Sequence, residues 1–435
     1  MCGQDSRGDL GQDAQVSQVS QAVVPLNQDL NADKIFPWET GRVFDAHCHP
    51  TDTPASLAAI PGMGAARLTV MSTRAQDQDL VATLAASEPV SVVPAFGWHP
   101  WFAHLLYDDK GQGGNELVSL EAKRQHLVNV LAPMPSSLVQ PATSRDQELV
   151  AALDALAASL PSIRPLSVFL AETRQRLLDH PDALVGEIGI DKAFRVPQPE
   201  NEGKDKDGTG AVKSSGLTPG GREGRRLSPF RVQPAQQIAV LTAQLTLAAE
   251  LQRPVSVHGV QAHGLLYSTL AATWKNQERK LPSRRQRRQE MGDVACVNDE
   301  LSTDEQQEDP ADQPQQEKTY PPSICLHSFS GPVDMLQQYL HPAIPATIYF
   351  SFSTAVNCST TGGCQRLAEV VAACPDDRLL VESDLHVAGA AMDAALEDMY
   401  RRVCAIKKWT LAEGVERIAQ NYNAFIRPSN RAKRP

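Results

Sequence analysis

The chain has 435 residues, 42% of them hydrophobic, and a formal net charge of −10 at pH 7. That length suffices for one large domain or two ordinary ones. The negative charge argues against a protein that holds duplex nucleic acid through its global charge, because the phosphates would be repelled. No apolar run approaches the roughly 18 residues that a membrane span needs, so we expect no membrane segment.

The eight cysteines are scattered without a Cys-x-x-Cys pair. This pattern argues against a disulfide framework or a zinc knuckle, and the simplest interpretation is buried free thiols in a reducing compartment. The N-terminal sequence also lacks the layout of a signal peptide. Together these features predict a cytoplasmic or nuclear protein.

In chain order, residues 1–40 are rich in Gln, Asp and Ser and are predicted to form a disordered arm. Short apolar runs then predict strands at 42–47, 68–72, 90–97, 183–188, 254–258, 323–328, 346–352 and 378–384. Helical patterns lie between them at 76–87, 147–160, 166–178, 235–252, 333–340, 363–374 and 391–409. Near-continuous apolar strands alternating with helices predict an α/β fold, a (β/α)8 TIM-type barrel.

We assign the barrel to residues 41–428, followed by a basic tail at 429–435. Two low-complexity insertions interrupt it, at about 197–232 and 275–322. The first insertion is crowded with Gly, Lys, Asp and Ser. The second begins with a basic block and then turns acidic, and such charge-segregated runs are usually solvated. Its arginines at 284–288 could form a nuclear-localisation or nucleic-acid patch, or the acidic neighbours could neutralise them.

Imidazoles and carboxylates follow five of the predicted strands. In a barrel of this type the carboxyl ends of the strands form the active-site face. A single histidine at a strand end is more often a core or rim residue than a metal ligand. Six nitrogen or oxygen ligands at the ends of five strands are hard to explain as core or rim residues. Without a cysteine among them, they favour a catalytic site over a structural thiolate site, and two ions sharing a carboxylate would use all six. The candidate ligands are His47, His49, Glu187, His258, His327 and Asp384.

These residues lie in short motifs whose order resembles the TatD family. The motifs are Asp45-x-His47-x-His49, the Gly-Glu-Ile-Gly-Ile-Asp run at 186–191, the strand ending at His258, the His-Ser-Phe-Ser-Gly run at 327–331, Glu382-Ser383-Asp384 and the Asn-Tyr-Asn-Ala-Phe run at 421–425. TatD proteins are metal-dependent hydrolases, many described as deoxyribonucleases, in the amidohydrolase-like barrel superfamily. The resemblance covers the chain from about Val43 to Phe425 and points to the fungal-type branch.

The resemblance implies two divalent metal ions. It assigns one ion to His47, His49 and Asp384 and the other to His258 and His327, with Glu187 as the bridge. Asp384 and Glu187 would be the catalytic residues, with Asp384 orienting the attacking water or accepting its proton. Imidazole ligands permit Zn²⁺ or Mn²⁺, and phosphodiester chemistry with carboxylates permits Mg²⁺, so the identity of the metal stays open.

The substrate-facing positions depart from the family pattern. In the Gly-Trp-His-Pro-Trp loop at 97–101, Trp101 replaces the second histidine of the family, and Val260 stands where a cation is frequent. His99, Trp101 and Lys192 are the candidate substrate-binding residues. Trp98 and Trp101 could stack on a base or pack at the rim, and Lys192 could meet phosphate or lie in a solvated loop.

Three functions remain open at this point. The leading hypothesis is a two-metal phosphodiesterase or deoxyribonuclease acting on DNA ends or single strands, with DNA as its partner. The second is a metal-dependent amide or ester hydrolase on another substrate, since fold resemblance alone does not separate the two. The third is a barrel scaffold that recruits protein partners through its insertions.

Overall fold

The computed structural model describes residues 34–199, 226–281 and 317–428. Within these ranges one parallel sheet of eight strands follows the order of the chain, so each strand pairs with the next. The strands are β1 (Phe44–Cys48), β2 (Arg67–Met71), β3 (Val92–Phe96), β4 (Leu184–Asp191), β5 (Val255–Val260), β6 (Ser323–Leu326), β7 (Thr347–Phe352) and β8 (Leu379–Val381). The predicted TIM-type barrel is confirmed.

Helices connect the strands, as the (β/α)8 pattern requires. They are α1 (Ala75–Ser87), α2 (Leu120–Val130), α3 (Ser144–Ser159), α4 (Leu166–Asp179), α5 (Pro234–Glu250), α6 (His263–Thr273), α7 (Val333–Tyr339), α8 (Thr354–Asn357), α9 (Thr361–Ala373), α10 (Ala390–Lys407) and α11 (Leu411–Ile426). The sequence interpretation missed α2, α6, α8 and α11. None of the helices in the described ranges is long and apolar enough to cross a membrane.

The first and last strands meet through backbone hydrogen bonds just beyond their carboxyl ends. The N–H of Asp384 donates to the carbonyl of His47 at 3.0 Å, and the N–H of His49 donates to the carbonyl of Leu385 at 2.8 Å. Parallel neighbours exchange slanted bonds of this kind along a ladder. The sheet therefore closes at the level of the predicted metal ligands, and the closure itself brings two ligand-bearing segments together.

Helix α11 closes the opposite end of the barrel. The Tyr422 hydroxyl bonds Thr69 at 2.8 Å, and the Ser323 hydroxyl donates to the Phe425 carbonyl at 2.9 Å. Tyr422 and Phe425 are buried in one cluster with Phe44 and other residues from the beginnings of the strands. Because this end is filled by side chains, the accessible cavity lies at the carboxyl ends of the strands.

Several predicted segments lie partly or wholly outside the described residues. Of the predicted arm, residues 34–40 are described, and Phe36 there is buried. Of the first predicted insertion, Phe230 is buried and the strand Arg231–Val232 pairs with Leu131–Ala132. The ranges 1–33, 200–225, 282–316 and 429–435, which include the arginines at 284–288 and the basic tail, lie outside the described residues.

The expectation that the cysteines are free thiols was wrong for one pair. Cys358 and Cys364 form a disulfide, with their Cα atoms 4.5 Å apart. The turn between α8 and α9 brings these two residues together, which their separation in the sequence did not reveal. The other cysteines in the described ranges are buried and free, as expected, namely Cys48, Cys325, Cys374 and Cys404.

We predict that His104 makes the folded protein sensitive to acid. Burial, together with nearby His126, lowers the pKa of His104 from its ordinary 6.5 to about 3. Between these values the unfolded chain binds a proton that the folded chain does not. The contribution of His104 to the free energy of unfolding is therefore complete above pH 6.5. It is lost as the pH falls toward 3, by up to about 1.4 kcal/mol per pH unit.

Urea unfolding at pH 7 and pH 5.5 measures this effect. His104→Gln should reduce the loss of unfolding free energy between the two pH values, whatever its stability at pH 7. His341→Gln, at an exposed position, is the control and should keep the wild-type difference. An unchanged difference in His104→Gln would show that His104 is not a source of the acid sensitivity.

Candidate metal centre

The predicted ligands converge on one cavity of about 310 Å³ at the carboxyl ends of the strands. Five of the six line it directly, and His47 is fully buried beside them, with its Nε2 3.1 Å from the Nε2 of His49. The five lining ligands are His49, Glu187, His258, His327 and Asp384. Strands that are distant in sequence thus deliver all six side chains to one place.

One group of donor atoms surrounds the Oε2 atom of Glu187. This oxygen lies 3.4 Å from His47 Nε2 and 3.2 Å from His49 Nε2. The Oδ1 atom of Asp384 lies 3.8 Å and 3.6 Å from the same two nitrogens. Two imidazole nitrogens and two carboxylate oxygens therefore face a common space.

A second group surrounds the other oxygen of the same carboxylate. Glu187 Oε1 lies 2.7 Å from His258 Nδ1 and 2.7 Å from His327 Nε2. These two nitrogens are 3.1 Å apart. Glu187 thus presents one oxygen to each group, which is the arrangement expected of a carboxylate that bridges two ions.

Irregularities in two strands aim the ligands into the cavity. The pairing of β1 with β2 shifts register between Asp45 and Cys48, and the pairing of β4 with β5 shifts between Val185 and Ile188. A bulge redirects the side chains that follow it and is frequent beside active sites. Without these shifts, simple alternation would not place His47 and Glu187 on the cavity side.

His99 joins the second group as a hydrogen-bond donor. Its Nδ1 accepts the backbone N–H of Trp101 at 3.2 Å, so the neutral ring carries its proton on Nε2. That nitrogen lies 3.1 Å from Glu187 Oε1. Burial lowers the pKa of His99 to about 4, which keeps the ring neutral. His99 therefore donates to the carboxylate and does not offer a lone pair to the same ion.

Burial and mutual charge set the protonation of the centre. Burial, together with the nearby His327, lowers the pKa of His47 to about 3. Although burial opposes ionisation of Glu187, the imidazoles of His99, His327 and His47 hold its pKa well below the usual range. Burial raises the pKa of Asp384 to about 6, and His327 partly offsets this effect. The centre thus combines an ionised Glu187 with a neutral His47, the forms in which both groups bind metal.

This donor set fits divalent cations. Ligand atoms of His47, His49 and Glu187 lie within 4.8 Å of one another, as do those of His47, His327 and Asp384. Among the described residues, no lysine or arginine lines the cavity. Although burial opposes it, Glu187 raises the pKa of His49 to about 9 and the pKa of His327 above its ordinary range, so these imidazoles balance the carboxylates when no ion is bound. Neutral imidazole and carboxylate suit Zn²⁺ or Mn²⁺, and carboxylate also suits Mg²⁺.

The candidate substrate-binding residues have different positions. His99 and the half-buried Trp101 line the cavity, and the Trp101 ring stacks on Phe194 with centroids 4.6 Å apart. Trp98 is buried and donates its indole N–H to the Phe102 carbonyl at 2.8 Å, which agrees with the alternative that it packs. The Lys192 side chain is exposed and is not among the residues that line the cavity.

Sequence reasoning assigned no role to several buried polar residues that support the ligands. The Asp45 carboxylate accepts the N–H and the hydroxyl of Ser383 at 3.0 and 2.5 Å, which ties β1 to the segment that carries Asp384. Ser256 Oγ lies 2.9 Å from His47 Nδ1. Asp45 belongs to the first motif and could have been found there. Ser256, an ordinary residue two positions before His258, gave no signal.

Comparison with known proteins agrees with this arrangement. A family model described as TatD related DNase matches residues 44–427. The Cut9-interacting protein scn1 of Schizosaccharomyces pombe is 36% identical over 386 residues, which are 88% of this chain and 98% of that protein. An uncharacterized deoxyribonuclease of Saccharomyces cerevisiae is 23% identical over 399 residues, 89% of this chain and 99% of that protein.

Two solved structures are also similar. YjjV, a TatD homologue from Escherichia coli, is 15% identical with a TM-score of 0.45, covering 88% of this chain and 97% of its own. A TatD-family hydrolase from Entamoeba histolytica is 11% identical with a TM-score of 0.46, covering 89% of this chain and 98% of its own.

The barrel and its cluster of imidazoles and carboxylates define the class of metal-dependent hydrolases. The chain belongs to the TatD-related DNase family, whose model spans most of its length. The predicted family is therefore confirmed.

We predict that Glu187→Gln removes metal from both groups, because one carboxylate oxygen belongs to each. The amide preserves the shape of the side chain and removes its charge. Metal affinity should fall by about tenfold or more, which is the scale seen even for outer-shell changes. Metal content after Mn²⁺ loading and gel filtration measures the effect. Glu416→Gln, at a half-buried carboxylate paired with Arg42 and not among the residues that line the cavity, is the control. Unchanged content would exclude Glu187 as a ligand.

Proposed function

We propose that the protein is a two-metal phosphodiesterase that cleaves DNA at ends or in single strands. The observation that carries this proposal is Glu187, whose two carboxylate oxygens each face a separate set of nitrogen donors. The family and the S. cerevisiae relative named as a deoxyribonuclease support DNA as the substrate class. The cytoplasmic or nuclear location stays a prediction.

In this proposal one ion is held by His47, His49 and Asp384 and the other by His258 and His327, with Glu187 shared. When bound, divalent ions lower the pKa of water and neutralise charge on the phosphoryl oxygens. The metal is Mg²⁺, Mn²⁺ or Zn²⁺. Every further contribution comes from the side chains of the chain itself.

Asp384 is the proposed acceptor of the proton from the attacking water. Its side chain is 14% exposed and lines the cavity, so water can reach it. One oxygen faces His47 and His49, and the other is 3.3 Å from the Ser328 hydroxyl, whose shorter bond of 2.6 Å goes to Glu382. A carboxylate with these contacts at the cavity wall is placed to orient water and to take its proton.

The remaining wall of the cavity suits a nucleotide. His99 directs an N–H toward Glu187 Oε1 and so can donate to a phosphoryl oxygen that arrives beside it. Trp101, Phe102, Val260 and Val356 form the apolar side of the cavity, where a base can pack and stack on the indole. Lys192 is left without a proposed role in the cavity.

We predict metal-dependent hydrolysis of a single-stranded oligonucleotide that EDTA abolishes. Asp384→Asn should lower kcat by about 100-fold or more, because general base catalysis typically contributes that much and the residue also binds metal. Turnover with Mg²⁺, Mn²⁺ and Zn²⁺ is measured on a labelled strand. Asp376→Asn, a carboxylate paired with Lys407 away from the cavity, is the matched control and should retain activity. A metal-loaded wild-type protein that leaves the strand intact would exclude the nuclease and direct the search to amide and ester substrates.

A second function, recruitment of a protein partner, rests on a separate observation. The S. pombe relative is named for its interaction with Cut9. The described residues on either side of the ranges 200–225 and 282–316 lie close together in the fold. Gln198 N–H donates to the Arg226 carbonyl at 2.7 Å, and Gln277 Nε2 donates to the Glu317 carbonyl at 2.9 Å. The described residues at the two ends of each segment therefore lie close together, so a short link can join them when the segment is deleted.

We predict that deleting residues 200–225 and 282–316, with short Gly-Ser links, leaves turnover within about threefold, because loop length itself has a small energetic cost. Co-purification with a co-expressed Cut9-type protein measures recruitment, which the deletion should abolish. Glu187→Gln is the reciprocal variant and should lose turnover while it keeps the partner. A deletion variant that still binds the partner would show that the segments do not recruit it.

A further inference from the structure

Asp191 is a buried carboxylate at the end of β4 to which the mechanism above gives no role. It is 5% exposed and lies behind His258, on the side away from Glu187. Its Oδ2 atom is 3.3 Å from His258 Nε2. The opposite nitrogen of the same ring, Nδ1, is the one that is 2.7 Å from Glu187 Oε1.

The surroundings hold this carboxylate in one orientation. Oδ1 accepts the backbone N–H groups of Ala193 and Phe194 at 2.7 and 2.9 Å, and Oδ2 accepts the indole N–H of Trp101 at 2.5 Å. Gln237 fixes the backbone, since its side chain accepts from the Asp191 N–H at 2.7 Å and donates to the Asp191 carbonyl at 2.8 Å. A carboxylate has no proton to donate, so every group that faces it must be a donor.

We propose that Asp191 is a positioning residue that fixes the tautomer of His258, and this proposal rests on the two-metal site of the proposed function. Both ring nitrogens of His258 face carboxylate oxygens, since Nε2 faces Asp191 Oδ2 and Nδ1 faces Glu187 Oε1. An ion bound by Nδ1 would take the lone pair of that nitrogen, so the proton would then have to stay on Nε2, where Asp191 accepts it. A histidine ligand needs this free lone pair at the ion and a partner for its other nitrogen. Asp191 supplies that partner, and Trp101 and Gln237 hold Asp191 in place.

Two variants that remove the charge of Asp191 should differ in their effect on the metal site. In Asp191→Asn, the side-chain oxygen can still accept from the N–H groups of Ala193 and Phe194, so the NH₂ group then faces His258. That NH₂ group would oppose the indole N–H of Trp101 and the Nε2–H of His258. The indole is a donor only, but His258 can avoid the opposition by moving its proton to Nδ1, where it blocks the lone pair. In Asp191→Ala, water can meet Nε2, and either tautomer is available. Asp191→Asn should therefore damage the metal site more than Asp191→Ala, although the alanine variant leaves two backbone N–H groups without their acceptor.

Calorimetric titration of the metal-stripped full-length chain with Mn²⁺ tests this proposal. His258→Ala identifies which of the two binding steps of the wild-type protein belongs to this side of the centre. We expect Asp191→Asn to weaken that step about 10–100-fold, Asp191→Ala to weaken it less, and the other step to stay within about threefold in both. Saturating Mn²⁺ should then restore much of the lost kcat/KM in Asp191→Asn, which a misfolded variant would not show.

Three outcomes would overturn the inference. The first is an alanine variant as weak in Mn²⁺ binding as the asparagine variant or weaker, since loss of charge or packing would then explain the effect. The second is equal weakening of both binding steps, and the third is wild-type affinity in Asp191→Asn. A wild-type protein that binds fewer than two ions would instead refute the two-metal function itself, so the two failures are distinguishable.

Discussion

The structure depends on one electrostatic constraint, the placement of a fully ionised carboxylate inside a barrel. Glu187 is 3% exposed, and an isolated buried charge is costly in a protein interior. The cost is offset because both of its oxygens are surrounded by ring nitrogens, with His47 and His49 on one side and His258 and His327 on the other. Those rings must come from several strands, since no single strand can surround a side chain. The cluster of imidazoles around Glu187 therefore depends on the barrel that brings the strands together.

Closure of the barrel and assembly of the site use the same hydrogen bonds. The backbone of Asp384 bonds His47, and the Asp45 carboxylate bonds Ser383, so the seam between the first and last strands carries ligands on both sides. The far end is filled by α11. A change that breaks these bonds would remove contacts that hold His47 beside Asp384.

Buried polar residues contact the rings of His47 and His258 on the side away from Glu187. Ser256 faces His47, Asp191 faces His258, and His99 bonds Glu187 through the nitrogen that cannot be a ligand at the same time. The neutral serine and the charged aspartate give the two sides of the centre different surroundings. Trp101 takes part in both the support and the cavity wall, because its N–H bonds Asp191 while its ring lines the space for substrate.

The sequence alone determined the barrel, its strands to within a few residues, and the six ligand candidates, because buried parallel strands are continuous apolar runs and their ends carry the polar residues. Its candidates His99 and Trp101 line the cavity, and their contact with substrate stays a prediction. It did not reveal that α11 fills the far end of the barrel or that Cys358 and Cys364 form a disulfide. Only the tertiary structure decided which oxygen of Glu187 faces which histidines, how the bulges in β1 and β4 aim them, and that Asp191 stands behind His258. These features are distances and directions between segments far apart in the chain, and no local pattern of residues encodes them.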